Sequence, residues 1–124
     1  MIRRVLFLDD DEDLRTVTAA WLEGHGIVCD AVATVAELEA AMASADGGFD
    51  AIILDINLGP GKPSGVDAYR WLRERGFGGH IAFLTGHAHN HPLVAEALRA
   101  GDAAVYEKPV SAATLERLLA GAAP

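Results

Sequence analysis

The stretch that most constrains the fold is Ala51–Leu54, an uninterrupted apolar run, AIIL, closed by the carboxylate of Asp55 within FDAIILDIN. A short run without polar alternation fits a parallel strand covered on both faces. An acid directly after such a strand is not there to be buried. It stands at the carboxyl rim, where open α/β sheets place their chemistry.

The rest of the chain repeats a strand followed by a helix. Arg3 to Leu8 reads as a first strand, followed by the acids Asp9, Asp10, Asp11, Glu12 and Asp13 and a helix from about Asp11 to Glu23. Gly24 and Gly26 end that helix, and Ile27 to Ala31 is the second strand. Thr34 with Glu37 has capping-box spacing ahead of a helix to about Ala45. After Asp55 comes the turn-rich LGPGKPSG, and Ser64 with Asp67 caps a third helix through Arg75, with Val66, Ala68, Tyr69 and Leu72 on or near one face and Arg70, Arg73 and Glu74 outside. His80 to Thr85 is a fourth strand, and Pro92 opens a helix closed by Gly101. Ala103 to Glu107 is a fifth strand running into Lys108-Pro109, and Ser111 caps a last helix, Ala112 to Ala120.

Five strand–helix pairs imply one parallel sheet with helices on both faces, joined by right-handed crossovers. All carboxyl ends then share one edge. That edge collects Asp9 and Asp10, Asp55, Thr85 and Lys108. At 124 residues the chain makes one domain, and no low-complexity tract or repeat divides it.

Acids outnumber Lys and Arg by 18 to 10, giving a net charge of −8, which argues against direct contact with nucleic acid. A single cysteine, Cys29, excludes an internal disulfide. No apolar stretch has the length of a signal peptide or membrane span, so a cytoplasmic location without membrane contact is expected.

One acid suffices to cap a helix, whereas the run from Asp9 to Asp13 is excess charge in need of a partner. Two unit charges about 4 Å apart interact by about 4 kcal/mol at an effective dielectric of 20, so converging carboxylates call for a cation. Mg²⁺ suits a few carboxylates, several waters and phosphate oxygens. A carboxylate beside Mg²⁺, a lysine and a hydroxyl is what phosphoryl transfer onto an aspartate requires.

The ordered segments LFLDDDEDLR, AIILDINL, IAFLTG and YEKP resemble the signatures of the response-regulator receiver domain of two-component signalling, over essentially the whole chain. The resemblance implies a single flavodoxin-like doubly wound (βα)5 domain, α/β in class, with strand order 2-1-3-4-5. It implies a receiver over residues 1–124 with no output domain; Met1 points to a natural amino end, and the chain is either a stand-alone receiver or one cut from a longer protein.

By position, the resemblance makes Asp55 the phosphoacceptor and Thr85 and Lys108 the groups that bind phosphoryl oxygens. Asp9, Asp10, Asp55 and the backbone carbonyl of Asn57 would hold Mg²⁺, Asp9 mainly through water. Lys108-Pro109 would be cis. Such a domain is not an enzyme beyond its own phosphotransfer and autodephosphorylation. Its implied partners are a sensor histidine kinase or histidine phosphotransfer protein as donor, and an effector or second receiver at the face built from Pro92 to Ala100, Ala103 to Tyr106 and Ala112 to Leu119.

Three features depart from the family pattern or fall outside it. Val105 occupies the place of the family's rotating aromatic, and Tyr106 should face the other side of the sheet. The loop from Asp55 to Gly65 is longer than the common form. His87, His89 and His91 lie beside Thr85; alternate residues of one loop give no tetrahedral metal set, and His87 is instead expected to border the path of the hydrolytic water. Two rivals remain: a pseudo-receiver that binds protein without phosphorylation, favoured by Val105, and a haloacid-dehalogenase-type phosphatase using Asp9, disfavoured by chain length and by Asp13.

Overall fold

The structure, a computed structural model, describes residues 2–44, 48–86 and 91–122. The elements are β1 (Arg4–Leu8), α1 (Glu12–Gly24), β2 (Val28–Val32), α2 (Val35–Ser44), β3 (Ala51–Asp55), α3 (Gly65–Glu74), β4 (His80–Thr85), α4 (Pro92–Ala100), β5 (Ala104–Glu107) and α5 (Ala112–Ala122). The five strands form one parallel sheet in the order β2-β1-β3-β4-β5. This is the flavodoxin-like arrangement, and the expected order holds.

Local chemistry starts and stops the helices. Asp11 caps α1 by accepting the Leu14 N–H at 3.2 Å. Ser64 and Asp67 form a reciprocal capping box on α3, and Gly101 ends α4 in the left-handed region at φ 80°. At α2, Thr34 caps the Glu37 N–H at 3.1 Å, while the Glu37 carboxylate reaches the Ala33 N–H, one residue further back than a capping box requires.

Strand alternation divides the core in two. Leu6, Leu8, Ile52, Leu54, Ile81 and Phe83 pack under α2, α3 and α4. Val5, Phe7, Ile53 and Leu84 pack under α1 and α5 through Leu22 and Leu118. Each fully buried aliphatic side chain contributes roughly 1.5–3 kcal/mol. β2 runs one residue later than expected and is one of the two edge strands, its Val28 left 54% exposed. An edge strand lacks the double-sided apolar run that marks β3, so its ends are harder to read. No helix among the described residues is long and apolar enough to cross a membrane.

Candidate functional site

Register builds the site. Leu8 pairs with Leu54, so the next residues, Asp9 and Asp55, emerge side by side where the strand order reverses. Asp55 pairs with Leu84, which places Thr85 one step on, and Thr85 pairs with Glu107, directly before Lys108. The Lys108 N–H donates to the Thr85 carbonyl at 2.7 Å, and the Lys108-Pro109 peptide is cis. Asp9, Asp10, Asp55, Thr85 and Lys108 therefore occupy one edge.

The side chains converge. Lys108 Nζ stands 3.0 Å from Asp9 Oδ2 and 3.3 Å from Asp55 Oδ1. Asp9, Asp10 and Asp55 each bring a carboxylate oxygen to within 4.8 Å of the others. Asp9 is 0% exposed and Asp55 only 3%, whereas Asp10 faces solvent. The expectation that Asp55 escapes burial is thus corrected: it is the last residue of β3, closed over by Lys108 and by the start of α3. Thr85 is buried as well.

Two acids and one lysine in so covered a place do not reach neutrality. Burial, then the charge of Asp9, pushes the Asp55 carboxyl up to about 7, against the pull of Lys108 and with a further push from Asp10. Burial would lower the Lys108 ammonium, but contact with Asp9 and the charges of Asp55 and Asp9 outweigh it and hold it above the usual lysine value. Asp9 Oδ1 accepts the Asp11 N–H at 2.9 Å, while among the described residues no donor reaches buried Asp9 Oδ2 in hydrogen-bond geometry, the Lys108 ion pair aside. A buried oxygen with spare lone pairs beside two further carboxylates is a donor set for a hard divalent cation.

Asn57 is half-buried, and its side chain turns back to accept the Gly59 N–H at 3.0 Å. Val105 packs on the α3 and α4 side of the sheet and Tyr106 on the α1 and α5 side, as alternation requires. His91 caps α4 by accepting the Leu93 N–H at 3.2 Å, a structural role. His87 and His89 lie outside the described residues.

Sequence reasoning missed Gly65 and Arg15. A Cβ at Gly65 would lie 2.2 Å from the Asp55 carbonyl oxygen, so only glycine lets α3 begin there. The signal was available, since glycine is a poor helix former yet follows directly on a helix cap. Arg15 donates to the Asp9 carbonyl at 2.8 Å, steadying the acidic turn from α1. Arg73, expected on the outside of α3, is instead largely covered. Its Nη1 donates to the carbonyls of Phe77 at 2.7 Å and Gly79 at 3.1 Å.

Comparison with known proteins agrees with this geometry. The family model of the response regulator receiver domain matches residues 5–120. A CheY-like receiver domain protein from Methanospirillum hungatei is 25% identical, with TM-score 0.82, over 98% of this chain and 93% of that one. A CheY-like receiver domain from Methylobacillus flagellatus is 25% identical, with TM-score 0.80, over 99% and 100%. Chemotaxis protein CheY4 of Vibrio cholerae, at 24% identity, shares the fold with TM-score 0.83 over 99% and 100%. A search among curated proteins by sequence gives no match. With nearly its whole length matched by the family model and the sheet order, carboxylate cluster and lysine all in register, the chain belongs to the response regulator receiver family.

Proposed function

We propose that this receiver accepts a phosphoryl group on Asp55 from a histidine kinase or phosphotransfer protein, in a Mg²⁺-dependent reaction, and signals through its α4, β5 and α5 face. Receivers as a family are phosphoaccepting signalling modules that typically bind Mg²⁺ and work with such donors and with effectors. The observation that carries the reading is the convergence of Asp9, Asp10 and Asp55 under Lys108.

Asp9, Asp10, Asp55 and the Asn57 carbonyl would hold the cation, which supplies charge neutralisation for carboxylates and phosphoryl oxygens when bound. An Asp55 carboxylate oxygen attacks phosphorus, and the bond from phosphorus to the donor breaks, its electrons leaving with the donor. Lys108 places an ammonium 3.3 Å from the nucleophile, and Thr85 stands on the neighbouring strand. Both bind phosphoryl oxygens in this reading. Burial and the charge of Asp9 raise the Asp55 carboxyl to about 7, and a bound cation favours its ionised form, so cation binding and ionisation go together.

The family assignment displaces the phosphatase reading, in which Asp9 would be the nucleophile; here Asp9 Oδ1 is engaged by the Asp11 N–H. The pseudo-receiver reading keeps one observation, Val105. Incubation with acetyl phosphate and Mg²⁺, followed by intact mass, decides between them. One phosphoryl adduct, absent in Asp55→Asn, is expected; an unmodified wild type favours the pseudo-receiver. A donor of this class acts in the cytoplasm, where we place the chain. Neither nucleic acid nor membrane enters the proposal.

A further inference from the structure

We propose that helix α3 reports the state of Asp55 to the turn between α4 and β5, with Tyr69 and Arg73 as its contacts there. The proposal rests on the phosphoacceptor reading above and adds the route by which the site is read.

The helix is mounted on the reactive residue. The Gly65 N–H donates to the Ile56 carbonyl at 2.9 Å, and the place of a Gly65 Cβ falls 2.2 Å from the Asp55 carbonyl oxygen. Backbone therefore touches backbone, and any movement of Asp55 is felt at the first turn of α3. Gly65, Tyr69 and Arg73 follow one another at intervals of four, hence along one face of a rod about 12 Å long.

The far end of that face grips a single carboxylate. The Tyr69 hydroxyl donates to Asp102 Oδ1, and Arg73 Nε lies 3.2 Å from Asp102 Oδ2. The Arg73 guanidinium also sits 5.5 Å from the Tyr69 ring centre, and its Nη1 bonds to Phe77 and Gly79 fix it in place. Asp102 follows Gly101 and leads into β5, so the grip holds the turn that sets both α4 and β5. Arg70 adds a second tie from α3 to α4 through Glu96 at 3.3 Å.

The same face of the sheet explains why α3 carries this task. Val105 is β-branched, stiff and without a polar end, so it cannot swing a hydroxyl between two sites. Its register partner Phe83 is met instead by the Tyr69 ring, 5.5 Å between centres. An aromatic with a polar tip thus reaches the α4–β5 turn from the helix. The two-state element is the Tyr69–Asp102 bond, closed in this structure and released when the phosphoryl group on Asp55 shifts the mounting of α3.

The test compares backbone amide spectra of wild type, Tyr69→Phe and Asp102→Asn, each with and without Mg²⁺ and beryllofluoride. Tyr69→Phe keeps the ring against Phe83 and removes only the hydroxyl, and unchanged β1 and β3 amides verify its fold. In wild type we expect the amides of Thr85 and Lys108 and those of residues 98–104 to move. In both variants the Thr85 and Lys108 shifts persist, while those of 98–104 shrink at least threefold. Undiminished 98–104 shifts in both variants overturn the α3 route and leave the site reading intact. Motionless Thr85 and Lys108 amides in wild type overturn the site reading, and the route with it.

Discussion

Asp50 and Asp55 stand at the two ends of the same strand, and their surroundings could hardly differ more. Asp50 Oδ2 accepts the backbone N–H groups of Arg3 at 2.8 Å and Arg4 at 3.0 Å, which hold its carboxyl below the ordinary value. Asp55 is covered, shares one ammonium with Asp9 and has its carboxyl pushed up to about 7. At the amino rim charges are matched locally, Arg4 also pairing with Asp30 at 2.6 Å. At the carboxyl rim negative charge is left in surplus. Asp50 has two backbone donors to itself, whereas Asp55 must share one ammonium with a second buried acid.

That contrast can be broken in four ways. The largest expected effect is complete loss of phosphoryl incorporation from acetyl phosphate in Asp55→Asn beside normal incorporation in Asp50→Asn, read by intact mass. Equal incorporation in the two variants would erase the distinction. Next, chelation of Mg²⁺ should abolish incorporation, and a free Mg²⁺ concentration ten times Kd should stabilise wild type by about 1.4 kcal/mol. Asp10→Asn should lose most of that gain in thermal melts, and Asp50→Asn none.

Lys108→Ala should destabilise the metal-free domain by about 1–2 kcal/mol in urea unfolding. That is below the 3–5 kcal/mol for breaking a fully buried pair, because Lys108 is 25% exposed. Mg²⁺ should recover part of the loss; a variant as stable as wild type at pH 7 contradicts the charge surplus.

The smallest effect is the pH profile. A raised carboxyl stabilises the fold fully below its unfolded value, 3.8, and that contribution disappears as pH rises through about 7. Metal-free wild type should therefore lose stability relative to Asp55→Asn between pH 4 and 7. For Asp50, whose carboxyl is lowered, the contribution is present above 3.8 and lost as pH falls through the lowered value. Parallel profiles for the two asparagine variants would remove the contrast.

What the sequence reveals and conceals divides along range. Helix caps at Ser64 and Ser111, the stop at Gly101 and the apolar run of β3 are read from neighbouring residues, because the physics that sets them acts within a few positions. Assembly of Asp9, Asp55, Thr85 and Lys108 on one edge follows from five parallel strands alone. The burial of Asp55 does not, since it depends on where the Lys108 stem and the first turn of α3 come to rest. Nor does the Tyr69–Asp102 bond, whose partners are 33 residues apart and carry no local mark. Arg73 looks like a solvent-facing helix residue until the α3–β4 loop folds back over it.

Gly65 carries a consequence for how related chains are judged. A variant with alanine there keeps all its charged groups, and by inspection of motifs alone would pass as intact. Yet one added methyl would occupy the space of the Asp55 carbonyl oxygen, and the strand or the helix must give way. The room beside one backbone carbonyl thus constrains this scaffold as its charged groups do, and a survey that scores only the ionisable residues does not see it.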